Sequence, residues 1–395
     1  MSQRVFVTGV GIVSAIGNGT GETLSSLKNL TSGIGKLSLF ESIHAHIPVA
    51  EVKLNHRQLA KLAGIDNHTP YTRNSLLALI AAKEALASAN WDRNRDLTSG
   101  AVMATTVGGM DLNEQYYKSL LKDDSHKEIL LLLDSADCTE KVAFMAGIRH
   151  NVTTISTACS SSANSIMLGT RLIKNNRLQR ALVGGTDAIT RFALNGFLAL
   201  EILSLTGCRP FDRFRNGLTI GEGAAVLILE SEDVADPARI ICEITGYANA
   251  NEAFHATASS ADGLGAYLAM SGALETASLK PQEISYINAH GTGTEINDLS
   301  EGRAIQKIFG SAIPPVSSTK AFTGHTLGAA GAVEAVFSIL ALQNQTLLPG
   351  LNFSTPMEEL NFQPVMKFSP AGLTHVMSNS FGFGGNNTSL IFSRV

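Results

Sequence analysis

The sequence is poor in charged residues and has no excess of positive charge. Asp, Glu, Lys and Arg make up only 16% of its 395 residues, and the net charge at pH 7 is −4. Proteins that bind nucleic acids or anionic membrane surfaces usually carry clustered Lys and Arg. We therefore expect no nucleic-acid partner for this chain.

Cysteine is scarce too, with four residues: Cys138, Cys159, Cys208 and Cys242. They form no CxxC pair and no closely spaced set, which argues against a structural zinc ribbon and suits a reducing compartment. No stretch reaches the roughly 18–20 uninterrupted apolar residues of a membrane span. Glycines interrupt the apolar run of the amino-terminal stretch MSQRVFVTGVGIVSAIG, and no A-x-A cleavage pattern follows it. We therefore expect a cytoplasmic protein without a membrane span.

What the chain does have is enough apolar material for a large core, at 44% hydrophobic residues. Runs that predict buried strands alternate with segments of helical periodicity, in two successive series. No linker rich in Pro, Gly or Ser separates the series. The pattern predicts an α/β protein with internal duplication and a mixed sheet, in which residues 1–237 and 238–395 form two halves packed as one unit.

Local patterns predict several individual elements. Residues 73–89 have apolar side chains at helical offsets and predict an amphipathic helix. Residues 263–278, 298–309 and 328–344 also predict helices. Val5–Thr8 predicts a strand, followed by a glycine turn at Gly9–Ser14. That turn imitates half of a dinucleotide-binding fingerprint, but its third glycine is replaced by Ser14, so we discount nucleotide binding.

The stretch Asn151–Lys174 joins a strand to a helix at one cysteine. The β-branched run Val152–Ile155 predicts a buried strand, and the apolar-periodic segment after Cys159 predicts a helix. A thiol at this turn would meet the unpaired N–H groups and the positive dipole end of the helix, which favour the thiolate. We therefore predict a nucleophilic Cys159 with a lowered pKa, and Ser160–Ser162 as caps of the first helical turn. Taken alone, Cys159 also fits a small buried structural cysteine.

Three glycine-rich motifs in the second half each follow a predicted strand. Residues 288–294 (NAHGTGT) contain His290, residues 318–325 (STKAFTGH) contain Lys320 and His325, and residues 380–387 (SFGFGGNN) form a loop too rich in glycine for an ordinary strand. Open α/β sheets gather ligand-binding groups at the carboxyl ends of their strands. We therefore expect the two histidines to share a cavity with Cys159.

The motifs TACSSS, HGTGT, SSTKAFTGH and GFGG, in this order and spacing, resemble those of the β-ketoacyl-acyl-carrier-protein synthases. These are the elongating condensing enzymes of fatty-acid and polyketide synthesis, and the resemblance covers essentially the whole chain. It implies a thiolase-like fold, in which two duplicated halves stack in five layers, αβαβα. It also implies a decarboxylative Claisen condensation of an acyl-Cys159 thioester with malonyl-acyl-carrier protein.

The resemblance further implies a role for each motif residue. His290 and His325 would donate N–H groups to the enolate, and Lys320, paired with Glu334, would tune the site. The backbone N–H groups of Cys159 and Phe383 would form an oxyanion hole. Phe383 would also be the gating aromatic, and the remaining implied substrate-binding positions are Thr292, Thr294, Val107, Phe381 and Gly384. The two threonines would bind the phosphopantetheine arm of the carrier, and Val107, as a pocket wall, predicts acyl groups of medium length.

The resemblance implies no cofactor beyond the phosphopantetheine arm of the acyl-carrier protein, which is the expected partner. Because that carrier is acidic, we predict a local basic docking patch, with Arg73 as its first candidate and Arg57 and Lys61 behind it. We expect a homodimer, with a heterodimer containing a ketosynthase-like subunit as the alternative. Asn386 departs from the threonine common after GFGG, which affects details of the gate.

Two other interpretations compete with an active condensing enzyme. Cys159, His290, His325 and Asp298 could be grouped as zinc ligands, but no closely spaced His or Cys pair anchors them, and Lys320 would oppose a cation. Chain-length-factor subunits of condensing enzymes keep the fold, lose the cysteine and act as binding partners. Because Cys159 and both histidines are present, the sequence favours the enzyme.

Overall fold

The computed structural model describes residues 3–395 except 66–69, 93–94 and 123–124. The strands of its main sheet are β1 (Val5–Ser14), β4 (Ser99–Ala104), β5 (Val152–Ile155), β6 (Arg180–Asp187), β7 (Gly223–Ser231), β8 (Cys242–Asn251), β9 (Tyr286–Asn288), β10 (Val316–Ser317), β13 (His375–Phe381) and β14 (Asn386–Ser393). Two small sheets pair β2 (Gly35–Lys36) with β3 (Pro48–Val49) and β11 (Thr346–Leu347) with β12 (Ser369–Pro370).

The helices are α1 (Thr20–Lys28), α2 (His56–Ala63), α3 (Arg73–Ser88), α4 (Met110–Leu120), α5 (Glu128–Leu131), α6 (Ala136–Ala146), α7 (Ser161–Lys174), α8 (Arg191–Ala199), α9 (Leu264–Ala277), α10 (Glu295–Phe309), α11 (Lys320–Thr323) and α12 (Ala330–Asn344). The predicted helices at 73–89, 263–278, 298–309 and 328–344 are thus confirmed as α3, α9, α10 and α12, with end shifts of a few residues.

The main sheet repeats one strand order twice. Its order is β10-β9-β13-β14-β8-β1-β7-β6-β4-β5. Read from the centre outward, the first half has the order β1-β7-β6-β4-β5 and the second half β8-β14-β13-β9-β10. In each half, therefore, the first strand along the chain pairs with the fifth, the fifth with the fourth, the fourth with the second and the second with the third. The first two of these pairings are antiparallel and the last two are parallel in both halves. The predicted duplication and mixed sheet are therefore confirmed.

Helices cover both faces of each half-sheet. In the first half α3 and α6 pack on the outer face, and in the second half α9 and α10 do the same. Helices α7 and α12 pack against each other in a shared core between the two half-sheets. The result is the five-layered αβαβα arrangement. The halves also join through a short antiparallel contact of Phe6 and Val7 in β1 with Cys242 and Glu243 in β8. The boundary at 237/238 stays a prediction.

Helix α12 and the turn before it form one long apolar helical segment. Leu327–Asn344 has the length and hydropathy of a membrane span, but 89% of it is buried inside the protein. It is therefore the central core helix of the fold.

Two predictions about β1 and α3 were wrong for one reason. Gly9 and Gly11 lie inside the continuous strand β1, and no turn occurs there. A Cβ atom on Gly11 would lie 2.0 Å from the Ala81 carbonyl oxygen, and one on Gly9 would lie 2.3 Å from that of Ala85. The glycines allow α3 to press onto the sheet, and α3 is therefore buried around most of its circumference rather than amphipathic.

The prediction that Val152–Ile155 is a buried strand was also wrong. Strand β5 lies at the edge of the sheet and pairs only with β4 among the described strands. Val152 and Thr153 are exposed in the chain, while Thr154 and Ile155 are half-buried. A β-branched composition predicts a strand but does not distinguish an edge from a centre position.

Candidate active site

Residues from seven separate segments of the described chain line one cavity of about 470 Å³. Cys159 comes from the β5–α7 turn, His290 from the loop after β9, and His325 from the segment before α12. The predicted substrate-binding residues Thr292, Thr294 and Phe381 line the same cavity, and so does the predicted gating residue Phe383. The structure thus places the thiol and both imidazoles around one space, as the sequence led us to expect.

The turn that carries Cys159 is strained and braced by hydroxyl groups. Ala158 has φ 54°, a left-handed value that is uncommon for a residue with a side chain. The Ser160 Oγ donates to the Thr157 carbonyl at 2.8 Å, and the Ser161 Oγ accepts from the Thr157 N–H at 2.8 Å. Ser160 occupies the N-cap position of α7 without a capping bond from its side chain. Ser160 and Ser161 therefore hold the turn rather than cap the helix, and the Ser162 Oγ accepts from the Ala332 N–H of α12, which corrects the predicted role.

Burial decides the ionisation of Cys159. The side chain is only 7% exposed, and its desolvation raises the pKa of the thiol to about 11. Lys320 and the backbone N–H groups of Phe383 and Cys159 act in the opposite direction. The predicted low pKa is therefore wrong for the free protein, because the cost of burying an anion exceeds the help from these donors. The other three cysteines have pKa values raised still further.

Behind His290 lies a buried ion pair. The Lys320 Nζ contacts Glu334 Oε1 and lies 3.2 Å from His290 Nδ1. Burial raises the pKa of Glu334 to about 7, although Lys320 opposes this change. A protonated amine can only donate, so His290 Nδ1 accepts and its ring proton lies on Nε2.

His325 reaches the same state by another route. The backbone N–H of Leu327 donates to His325 Nδ1 at 3.2 Å, which again leaves the ring proton on Nε2. Burial and the nearby Lys320 lower the pKa of both imidazoles well below the usual value. The rings meet edge to face with centroids 5.3 Å apart. Two neutral rings can therefore each offer an Nε2–H donor to a molecule in the cavity.

Two buried acids on α10 hold the glycine-rich loop that carries His290. Glu301 accepts from the His290 and Gly291 N–H groups at 2.9 and 2.8 Å. Asp298 accepts from the backbone N–H groups of Phe211 and Gly293. Glu301 was missed from the sequence, although its i+3 spacing from Asp298 on a helix after HGTGT was a usable signal. Asp298 supports a loop, and no cluster of three or more candidate metal ligands occurs in the described part of the chain.

The carboxyl-terminal loop closes over the thiol. Phe383 stacks obliquely on Phe197 with centroids 6.1 Å apart, and its backbone N–H lies near enough to the Cys159 sulphur to act against the raised pKa of the thiol. Phe381 packs against the His290 ring at 5.9 Å. Gly384 has φ 80° and is exposed at the tip of the loop, so it shapes the loop without lining the cavity.

Helix α8 supplies a cavity wall that the sequence analysis missed. Phe197 lies on α8, and Glu201 and Ile202 follow its end. The segment is short and partly exposed, so its apolar pattern was weak.

Two predicted positions lie elsewhere. Val107 is absent from the cavity lining, and its N–H donates to Asp187 Oδ1 at 3.1 Å. Arg73 is 7% exposed and forms a buried ion pair with Glu222, so its proposed part in a docking patch is wrong. Arg57 and Lys61 are exposed on α2.

Known proteins match this chain along its length. The family model described as "Beta-ketoacyl synthase, N-terminal domain" matches residues 2–235, and that described as "Beta-ketoacyl synthase, C-terminal domain" matches residues 241–354. The 3-oxoacyl-(acyl-carrier-protein) synthase 2 of Staphylococcus aureus (strain COL) is 34% identical, covering 100% of this chain and 99% of the relative.

Solved structures of the same kind also match. The ishigamide ketosynthase/chain length factor superposes with a TM-score of 0.92 at 29% identity, covering all of both chains. The ketosynthase of a type II polyketide system, solved with its acyl-carrier protein and bound to the hexaketide, superposes with a TM-score of 0.89 at 26% identity, again over all of both chains.

Proposed function

This chain belongs to the beta-ketoacyl synthase family, and from that membership and its cavity we propose that it is a 3-oxoacyl-acyl-carrier-protein synthase. The enzyme is an acyltransferase that joins an acyl group, held as a Cys159 thioester, to the two-carbon unit of malonyl-acyl-carrier protein. The product is a 3-oxoacyl chain two carbons longer, in fatty-acid or related polyene or polyketide synthesis.

The first step moves the acyl group to the enzyme. The Cys159 sulphur attacks the carbonyl carbon of the acyl-carrier thioester, and the carrier thiol leaves with the proton that Cys159 gives up. In the tetrahedral intermediate, after the attack and before the carrier thiol leaves, the oxygen of that carbonyl carries a negative charge. The N–H groups of Cys159 and Phe383, which already face the sulphur, are the proposed oxyanion donors.

The second step generates the carbon nucleophile. Malonyl-carrier loses carbon dioxide, and the electron pair of the broken bond remains as an enolate on the thioester. The neutral rings of His290 and His325 offer two N–H donors to the enolate oxygen. Lys320 and Glu334 act by keeping His290 in the required tautomer. Thr292 and Thr294, whose hydroxyls lie 2.9 Å apart on the cavity wall, are proposed to bind the phosphopantetheine arm.

In the third step the enolate carbon attacks the Cys159 thioester. The new carbon–carbon bond forms, and the carbon–sulphur bond to Cys159 breaks. Because burial holds the pKa of the thiol at about 11, the released thiolate takes up a proton and returns to the resting form. These steps need a thiol and fixed N–H donors, so we further propose that the reaction requires no bound cofactor.

One observation carries this proposal: a thiol and two neutral imidazoles with Nε2–H donors line one cavity. The test is to compare His290→Ala and His325→Ala in two assays. Each variant should still form the acyl-Cys159 thioester, whereas malonyl-carrier decarboxylation should fall about 10²–10³-fold for one lost donor. The exposed His46, changed to Ala, serves as the control. Loss of acyl loading with decarboxylation intact would show that the roles are reversed.

We propose the acyl-carrier protein as the partner, which the carrier-bound ketosynthase among the structural relatives supports. A homodimer is proposed, with a ketosynthase-like subunit as the alternative second chain, since the ishigamide relative is a ketosynthase/chain length factor. Cys159 argues against a chain-length-factor role for this chain itself. Condensation by the purified chain alone would support the homodimer, and activity that requires a second subunit would support the heterodimer.

We also propose a cytoplasmic location. All four cysteines are unpaired and buried, which agrees with a reducing compartment.

A further inference from the structure

Asn386, at the start of β14, lies at a junction of hydrogen bonds beside the nucleophile. Its side-chain oxygen accepts from the Asn164 Nδ2 at 2.9 Å and the Asn249 Nδ2 at 2.7 Å. It also lies 2.7 Å from the Ser160 Oγ, which shares its single proton between Asn386 and the Thr157 carbonyl. An amide oxygen has two lone pairs, so these three converging groups leave it no capacity for another donor. The same residue departs from the threonine that the motif comparison led us to expect.

These donors come from three elements that meet at the site. Ser160 follows Cys159 directly, Asn164 lies on the first turn of α7, and Asn249 lies on β8. Asn164 Oδ1 in turn accepts from the Asn249 Nδ2 at 3.0 Å and the Thr388 Oγ1 at 2.9 Å. Ser160, Asn164 and Thr388 are buried, and hydrogen bonds out of water are stronger. The network therefore ties the nucleophile turn to the second half of the fold.

The backbone of Asn386 controls the loop that carries Phe383. Its carbonyl oxygen accepts from the Gly382 N–H at 2.9 Å, which closes the loop 382–386. Gly382 sits against the nucleophile turn, where a Cβ atom would lie 3.0 Å from the Thr157 carbonyl oxygen and 3.3 Å from the Cys159 nitrogen. The Phe383 N–H, which faces the Cys159 sulphur, is therefore set by a loop whose base Asn386 anchors.

We propose that Asn386 is a positioning residue that fixes the Phe383 N–H against Cys159 during acyl transfer. The inference rests on the proposed function, because the donor matters only where an oxyanion forms. An oxyanion donor acts over a narrow range, about 2.7–3.1 Å from the developing charge, and one donor contributes roughly 10²–10³ in rate. Without the Asn386 side chain, loop 382–386 would hold the Phe383 N–H less firmly, and this donor would keep only part of its contribution to the rate.

The test compares two reactions of the same sulphur. Acylation by a small thioester, octanoyl-N-acetylcysteamine, passes through an oxyanion, whereas alkylation by iodoacetamide does not. In Asn386→Ala the ratio of acylation rate to alkylation rate should fall about 10–100-fold, as expected for partial loss of one oxyanion donor. The small thioester needs no carrier docking, so docking effects do not enter.

Two variants separate positioning from a general structural effect. Asn386→Thr keeps an uncharged side-chain oxygen that can accept hydrogen bonds, and threonine is the residue that the motif resemblance leads us to expect at this position. Its ratio should stay within about threefold of the unmodified chain. Asn175→Ala removes an exposed asparagine at the far end of α7 and should leave the ratio unchanged. If Asn386→Ala does not fold, Asn164→Ala, which removes one donor, should lower the ratio by a smaller factor.

An unchanged ratio in folded Asn386→Ala, with condensation still measurable, would overturn the positioning role and leave the proposed function standing. Equal losses in Asn386→Ala and Asn386→Thr would also overturn it, because the acceptor would then be irrelevant. If the unmodified chain is not acylated at Cys159 by any thioester, the proposed function itself fails.

Discussion

At Cys159, burial raises the pKa of the thiol, whereas Lys320 and nearby backbone N–H groups lower it. The motif around Cys159 predicted the nucleophile, but its pKa could not be predicted, because desolvation depends on how tightly distant segments close around the sulphur. Phe383 and His325 come from more than 150 positions further along the chain. A helix start alone would lower the pKa, whereas the folded cavity raises it to about 11.

This balance predicts the pH dependence of Cys159 alkylation. With the pKa at about 11, the thiolate fraction and hence the iodoacetamide rate should rise about tenfold per pH unit from pH 7 to 9. Mass spectrometry of digests should find Cys159 labelled before the three cysteines whose pKa values are raised further. A rate that levels off near neutral pH would contradict the account.

The Lys320–Glu334 pair predicts an asymmetry in stability. Glu334→Gln leaves the Lys320 charge buried without its partner, which should lower the free energy of unfolding by about 3–5 kcal/mol. Lys320→Met should cost less, because the pKa of Glu334 is already raised to about 7 and the lone acid can bind a proton. Urea denaturation at pH 8, where Glu334 of the unmodified chain is ionised, measures both.

The control for this pair is Glu358→Gln at the exposed Arg213–Glu358 pair, which should change the free energy of unfolding by less than about 1 kcal/mol. If Lys320→Met lowers the free energy of unfolding more than Glu334→Gln does, then the unpaired Glu334 destabilises the fold more than the unpaired Lys320, which contradicts the prediction.

Among the secondary-structure elements, the long helices with a clear apolar period were predicted well, but the close contact between α3 and β1 was not. Helices α9, α10 and α12 followed from periodicity within a few residues. Gly9 and Gly11 were misjudged as a turn, because glycine also permits a helix to touch a strand and sequence cannot separate the two uses. Which surface of β1 contacts α3 is known only from the folded structure, in which the positions of both elements are given.

The strand–helix contact predicts the effect of Gly11→Ala. The added Cβ would lie 2.0 Å from the Ala81 carbonyl oxygen, so β1 or α3 must shift. Overpacking of this kind should lower the free energy of unfolding by about 1–3 kcal/mol or more. Gly35→Ala in β2 meets nothing within 4 Å and is the matched control. Equal stability of the two variants in urea would show that the close approach of α3 is absent.

For the whole molecule, duplication explains why the site lies where it does. The two halves share one strand order, and α7 of the first half packs against α12 of the second in the central layer. Cys159 precedes α7 and His325 precedes α12, so packing these two helices brings the thiol and an imidazole together. The sequence predicted the duplication. The buried ion pair of Arg73 with Glu222 could not be foreseen, since it joins residues 149 positions apart.

The central claim is that Cys159 carries the acyl group and passes it to a decarboxylated malonyl unit in the same cavity. The most direct measurement is a chase followed by mass spectrometry. The chain is first incubated with acyl-carrier protein alone, and malonyl-carrier labelled with carbon-13 at C2 is then added. The mass of the acyl group should first appear on the Cys159 peptide and disappear when malonyl-carrier is added. The acyl group should then be found in a 3-oxoacyl-carrier that contains carbon-13. An acyl group on any other residue, or one that stays on Cys159 after malonyl-carrier is added, would contradict the account.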